Sequence, residues 1–172
     1  MICVLLGIGT ISFAQEYKYH PIFIYNFSKY IEWPAVDTDE FVITVVGNDM
    51  AFREMLDIVE KKKTIKNRKL VVKKSRNIQD AQSSDVLFVT KYEKLSPEAI
   101  KAKQAQGTLI ITEHKGMAAS ASHINFILTD DSKIGFELNS ALAEASGLKV
   151  SNSLAGLAKK TYWCSFLLCG LS

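Results

Sequence analysis

Between Phe41 and Thr112 the chain repeats one rhythm, a short apolar run rich in β-branched residues followed by an amphipathic or turn-rich stretch. FVITVV (41–46), KLVVKK (69–74), DVLFVT (85–90) and TLIIT (108–112) are the runs. FVITVV has no polar alternation and stops at Gly47-Asn48-Asp49, which predicts a strand covered on both faces. Between the runs, DMAFREMLDIVEKK sets Phe52, Met55, Leu56 and Val59 at helical spacing behind an Asp suited to cap the N-terminus. SPEAIKAKQAQG carries a complete set of helix signals: Ser96 as cap, Pro97 at the first position and Gly107 as stop. HINFILT (123–129) and KIGFELN (133–139) alternate on either side of Asp130-Asp131-Ser132, a hairpin signal. SALAEASG then reads as a short helix ended by Gly147, and SNSLAGLAKK as another capped by Ser151 or Ser153. Strands alternating with helices predict a three-layer α/β fold: a mostly parallel mixed sheet with one antiparallel hairpin and helices on both faces.

A chain of 172 residues, 48% hydrophobic and 23% charged, fits one domain with a substantial core. Its net charge of +3 is too small to make nucleic acid an obligatory partner. The first fourteen residues, MICVLLGIGTISFA, carry no charge and end in a small-x-small pattern, so residues 1–14 read as a signal peptide with Gln15 beginning the exported chain. They lack the Lys or Arg usual at the front of such a segment, and they are too short to span a bilayer, which takes about 20 apolar residues. Export places the protein in the periplasm, not itself membrane-spanning. Only Cys164 and Cys169 follow the leader; on one helix they would sit about 140° apart, beyond disulfide reach, so they read as buried thiols.

Chemistry-bearing motifs are few. Residues 61–76, KKKTIKNRKLVVKKSR, hold nine of the 21 basic side chains without one aromatic residue, and read as a solvated helix end followed by an edge strand kept from pairing by its lysines. His20, His114 and His123 are scattered and no metal site is expected. There is no GxSxG turn, and the lone glycine of Gly47-Asn48-Asp49 is a weak phosphate-loop signal. Neither a catalytic constellation nor a cofactor motif is present. Glu137 and Asn139 share one face of KIGFELN at a strand end where α/β folds tend to hold ligands; Asn139 also suits a cap for the following helix. In HPIFIYNFSKYIEWP (20–34), Ile22, Phe23, Phe27, Tyr30 and Ile31 form an apolar stripe, and Trp33-Pro34 is expected to end the helix. A single Lys29 on its polar face argues for core packing over a membrane-surface helix. Tyr25 and Trp33 fall outside the stripe and are candidates for contact with a partner.

YNFSKYIEWP, FVITVVGND, HINFI with KIGFELN, and AEASGLKVSNSLAGLAK, taken together and in order, resemble the YfiR-like family of periplasmic proteins, over about Tyr19 to Lys160. The most specific blocks are Asn26-Phe27 with Trp33-Pro34, Phe136-Glu137-x-Asn139, and Gly147-Leu148-Lys149-x-Ser151 leading into Leu154, Leu157 and Ala158. The resemblance implies one α/β domain over residues 15–160, without enzymatic activity and, as often in the family, able to form a homodimer. It further implies binding to the extracytoplasmic part of an inner-membrane signalling protein, of diguanylate cyclase or sensor kinase type, in control of cyclic-di-GMP. Relatives carry cysteine pairs, one at the start of the strand matching DVLFVT, where Ser83, Ser84 and Asp85 stand here, so that redox control does not transfer. The apolar tail, 161–172, lies beyond the likeness. On this reading the partner-binding candidates are Tyr25, Trp33, Glu137 and Asn139. A soluble periplasmic small-ligand carrier with a pocket near Glu137 and Asn139 is the alternative.

Overall fold

A computed structural model describes residues 17–35 and 37–163. The expected leader at 1–14, Cys164, Cys169 and the tail from 164 onward lie outside the described residues. The chain runs α1 (His20–Tyr30), β1 (Ile31–Glu32), β2 (Glu40–Val46), α2 (Asp49–Lys62), β3 (Thr64–Ile65), β4 (Arg68–Ser75), β5 (Val86–Val89) and α3 (Pro97–Gln104). It continues through β6 (Leu109–Thr112), a 3-10 turn at Met117–Ala119, β7 (Ile124–Leu128), β8 (Ile134–Asn139), α4 (Ser140–Ala145), β9 (Lys149–Val150), α5 (Asn152–Leu157) and β10 (Lys160–Tyr162).

Eight strands form one mixed sheet in the order β10-β8-β7-β6-β5-β2-β4-β3, and β1 pairs antiparallel with β9 in a small second sheet. The pairs β2–β4, β2–β5, β5–β6, β6–β7 and β8–β10 are parallel; β3–β4 and β7–β8 are antiparallel. The expected hairpin is present with Phe126 opposite Phe136. Alternate side chains of the strands serve two cores. One face sends Phe41, Ile43, Val45, Phe88, Ile111, Phe126 and Phe136 against α1, α2, α4 and α5. The other sends Val46, Leu87, Val89 and Ile110 against Ile78, α3 and the 3-10 turn.

The ends of the helices follow local chemistry. Asn48, not the following Asp49, caps α2, its Oδ1 accepting from the N–H groups of Met50 and Ala51. Asn48 holds extended backbone and so sits one residue before the helix, whereas Asp49 is already helical. Ser96, Asn139 and Ser151 cap α3, α4 and α5.

Three expectations need correction. The α1 face that packs inward is His20, Ile24, Phe27 and Ser28, continued by Ile31; Ile22 and Phe23 are half-buried and Tyr30 is exposed. Apolar residues surround this helix, so its period alone does not select a face, and the sheet beneath it does. The helix ends at Tyr30, ahead of Trp33-Pro34, because Ile31 and Glu32 turn extended to pair with Val150 and Lys149. The last helix stops at Leu157; Lys160–Tyr162 instead continue the sheet as β10, whose neighbouring Lys159 N–H donates to Phe136 O.

Candidate functional site

Along the amino ends of β2, β4 and β5, side chains from distant parts of the chain converge on Asp85. Arg68 Nη1 and Nη2 donate to its two carboxylate oxygens at 2.7 and 3.0 Å, and the Val42 N–H donates to Oδ2 at 2.8 Å. Arg68 is anchored further by Nε to Thr38 O at 3.0 Å, by Nη2 to Thr38 Oγ1 at 2.7 Å, and by Nη2 to Glu40 O. Its guanidinium lies 5.3 Å from the Phe41 ring centroid. Trp33 meets Phe41 edge-on at 5.1 Å, and its Nε1–H donates to the Asp85 carbonyl at 3.2 Å. A cleft of about 320 Å³ opens here, lined by Glu32, Trp33, Pro34, Phe41, Lys66 and Arg68. Pro34 is seated against Gly147, where a β-carbon would stand 3.3 Å from Pro34 Cγ and the φ of +78° independently favours glycine. Arg68 has most of its donors committed to Asp85, Thr38 and Glu40, so Lys66 and Glu32 are the charges the cleft offers, over an aromatic wall.

Of the residues singled out from sequence, Trp33 is half-buried in this cleft. Tyr25 lies outside the cleft lining, on α1, half-buried, with Lys29 Nζ and Lys62 Nζ at 5.7 and 5.6 Å from its ring centroid. Glu137 is half-exposed on β8, in register with Asn125 of β7 and Lys160 of β10. Asn139 is 4% exposed, and both ends of its amide are engaged: Oδ1 accepts from Leu142 N at 2.8 Å and Nδ2 donates to Ala118 O at 2.8 Å. Because β8 runs antiparallel to β7, its carboxyl end lies on the same sheet edge as the amino ends of the parallel strands, away from the carboxyl-end crevice where α/β folds hold ligands. Arg68, Asp85, Phe41, Lys66 and Glu32 went unnoticed in the sequence. Arg68 sits inside the basic run and its partner is 17 positions on, so no local signal joins them.

Among the described residues, the crossover point at the carboxyl edge offers no open anion cradle. The order β4-β2-β5-β6-β7 is the doubly wound arrangement with its crossover point between β2 and β5. There Asn48 takes up the helix N–H groups, and Glu93 lies over Gly47 so closely that a β-carbon would stand 2.3 Å from its Cγ.

The histidines are placed inside the fold. His20 packs against Phe126, Phe88 and Tyr17 at centroid distances of 4.5, 5.7 and 5.2 Å, with Nε2 3.7 Å from Glu113. His114 Nε2 reaches Glu93 O at 2.9 Å. His123 is fully buried: Nδ1 accepts from Ile110 N at 2.9 Å and Nε2 meets Ser146 Oγ at 3.0 Å. Burial lowers its pKa to about 3, which keeps the ring neutral. Among the described residues no three His, Cys, Asp or Glu are grouped to hold a metal ion, and no helix is long and apolar enough to cross a membrane.

The family profile described as YfiR/HmsC-like matches residues 17–159. The chain belongs to that family. No curated protein matches it.

Proposed function

We propose, from its place in the YfiR/HmsC-like family, that this chain is a periplasmic regulator of cyclic-di-GMP signalling. It acts without catalysis by binding the extracytoplasmic domain of an inner-membrane signalling protein, of diguanylate cyclase or sensor kinase type. The observation that carries the reading is the family match across residues 17–159, which takes in every strand of the sheet except β10. Export by the leader at 1–14 and assembly as a homodimer are parts of the same reading.

The partner-facing surface is assigned to Tyr25 and Trp33, with Glu137 as a separate polar contact. Asn139 acts there through the fold, since it ties the 3-10 turn to the start of α4. Affinity capture from envelope fractions should recover one membrane signalling protein, and deletion should change the cellular cyclic-di-GMP level. Capture of none, together with an unchanged level, would defeat the proposal.

The cleft at Trp33 favours one second reading, a carrier for a small ligand seated there and not at Glu137 and Asn139. A carrier gains thermal stability from its ligand by mass action, and a docking module does not, so a thermal-shift screen of small periplasmic metabolites separates the two.

A further inference from the structure

The basic run at 61–76 acquires a shape in the fold that its sequence did not show. Lys61 and Lys62 end α2, Lys63 links it to β3, and Lys66 stands with Asn67 at the tip of the β3–β4 hairpin. Lys63, Lys66 and Asn67 hold φ of 52°, 50° and 64°, left-handed positions that glycine fills with less strain, so two lysines stand where the backbone would prefer a smaller residue. From α1, Lys29 joins them: it and Lys62 approach the same Tyr25 ring, at 5.7 and 5.6 Å. Lys66 shares the neighbouring cleft with Trp33 and Glu32.

All five lysines are exposed, and none has an ion pair among the described residues, whereas Arg68, Lys74 and Lys133 each do.

We propose that this corner, Lys29, Lys61, Lys62, Lys63 and Lys66 around Tyr25 and Trp33, docks on the anionic headgroups of a phospholipid bilayer. Compact ammonium groups beside amphipathic rings match the depth where phosphates and glycerol meet. Single-stranded nucleic acid, the other polyanion, needs free ring faces for stacking. Here Tyr25 is attended by two ammonium groups, and Trp33 is edge-on to Phe41 with its N–H committed to Asp85. The isolated α1 sequence argued against a membrane surface because it carries one lysine; the fold supplies the others from α2 and the hairpin. The docking shares Tyr25 and Trp33 with the partner-facing surface proposed above; vesicles without any protein partner read the lipid contact alone, so its failure is distinguishable from failure of the partner reading.

Co-sedimentation of the exported chain with phosphatidylglycerol–phosphatidylcholine vesicles should show binding that pure phosphatidylcholine lacks, and that roughly 0.5 M salt abolishes. Each surface lysine is worth about fivefold, so the triple variant Lys62→Gln, Lys63→Gln, Lys66→Asn should bind about a hundredfold more weakly. A control with equal charge loss, Lys94→Gln, Lys101→Gln, Lys115→Gln, should stay within about threefold of the parent. Thermal unfolding checks the variants; if the triple is unfolded, the pair Lys29→Gln, Lys62→Gln should still weaken binding about 25-fold. Lack of preference for phosphatidylglycerol, or an equal loss in the control, overturns the proposal. So does tighter binding to a single-stranded oligonucleotide than to the anionic vesicles.

Discussion

Replacing Asp85 by Ala removes the carboxylate on which Arg68 and the Val42 N–H converge. The Asp85 side chain is 9% exposed and that of Arg68 18%, so the pair is mostly shielded from water. Removing one member of a buried ion pair costs about 3–5 kcal/mol, because the other charge is left without its counter-ion. Arg68 would keep Thr38 and Glu40 oxygens as acceptors and is slightly wet, which places this case at the low end, about 3 kcal/mol. The Val42 N–H at the start of β2 loses its acceptor as well, adding about 1 kcal/mol.

The total of about 4 kcal/mol corresponds to a fall in melting temperature of about 8–16 °C for a domain of this size. Urea unfolding followed by circular dichroism reads it directly, with an unchanged m-value showing that the native state stays compact. Asp85→Asn, which keeps the shape and one acceptor but not the charge, should cost about half as much. The double variant Asp85→Ala, Arg68→Met should be more stable than the sum of the single losses predicts, because it leaves no buried charge unpaired. A cost below about 1 kcal/mol for Asp85→Ala, or strict additivity in the double variant, would refute the view that this pair pins the amino ends of β4 and β5 together.

His123 gives a pH signature. Its pKa is lowered by burial to about 3 from 6.5, so the unfolded chain binds the proton that the folded chain refuses. Stability is fully present above about pH 6.5 and falls by about 1.4 kcal/mol for each pH unit below it, until the folded-state value is reached. Urea midpoints measured from pH 7 to pH 4 should lose much of this slope in His123→Gln. Gly47→Ala should destabilise by about 1–2 kcal/mol, since φ is +97° and the new methyl group meets Glu93. Adding Glu93→Ala should restore the steric part and leave the backbone part, a split that thermal melts can read. Asn139→Ala should cost about 2 kcal/mol through the lost cap and the lost bond to Ala118, measured by urea unfolding. A binding role for Asn139 would instead leave stability intact and weaken capture of the partner.

Local chemistry in the sequence determined the elements and their class. β-Branched runs, Ser96-Pro97, Gly107, Gly147 and the Asp130-Asp131-Ser132 turn each act within a few residues, so the six longer strands, most of the helices and the β7–β8 hairpin were legible along the chain, while the two- and three-residue strands β1, β3, β9 and β10 were not. The ordered aromatic and glycine blocks were likewise enough to point to the family. What the sequence could not choose was the partner of each surface. α1 has apolar residues on every side, and only the sheet decided that Ile24 goes inward and Tyr30 outward. Lys160–Tyr162 has no strand signature of its own and becomes β10 because the edge of β8 stands open beside it. The candidate site was divided in the same way: Trp33 was visible as an aromatic off the core stripe, while its setting required Arg68 and Asp85 to be brought across the sheet. Lys29 and Lys62 meet at one ring for the same reason. Caps, turns and periodicity are short-range and can be read along the chain. Ion pairs, ring contacts and charged corners join residues distant in sequence, and tertiary packing alone brings them together.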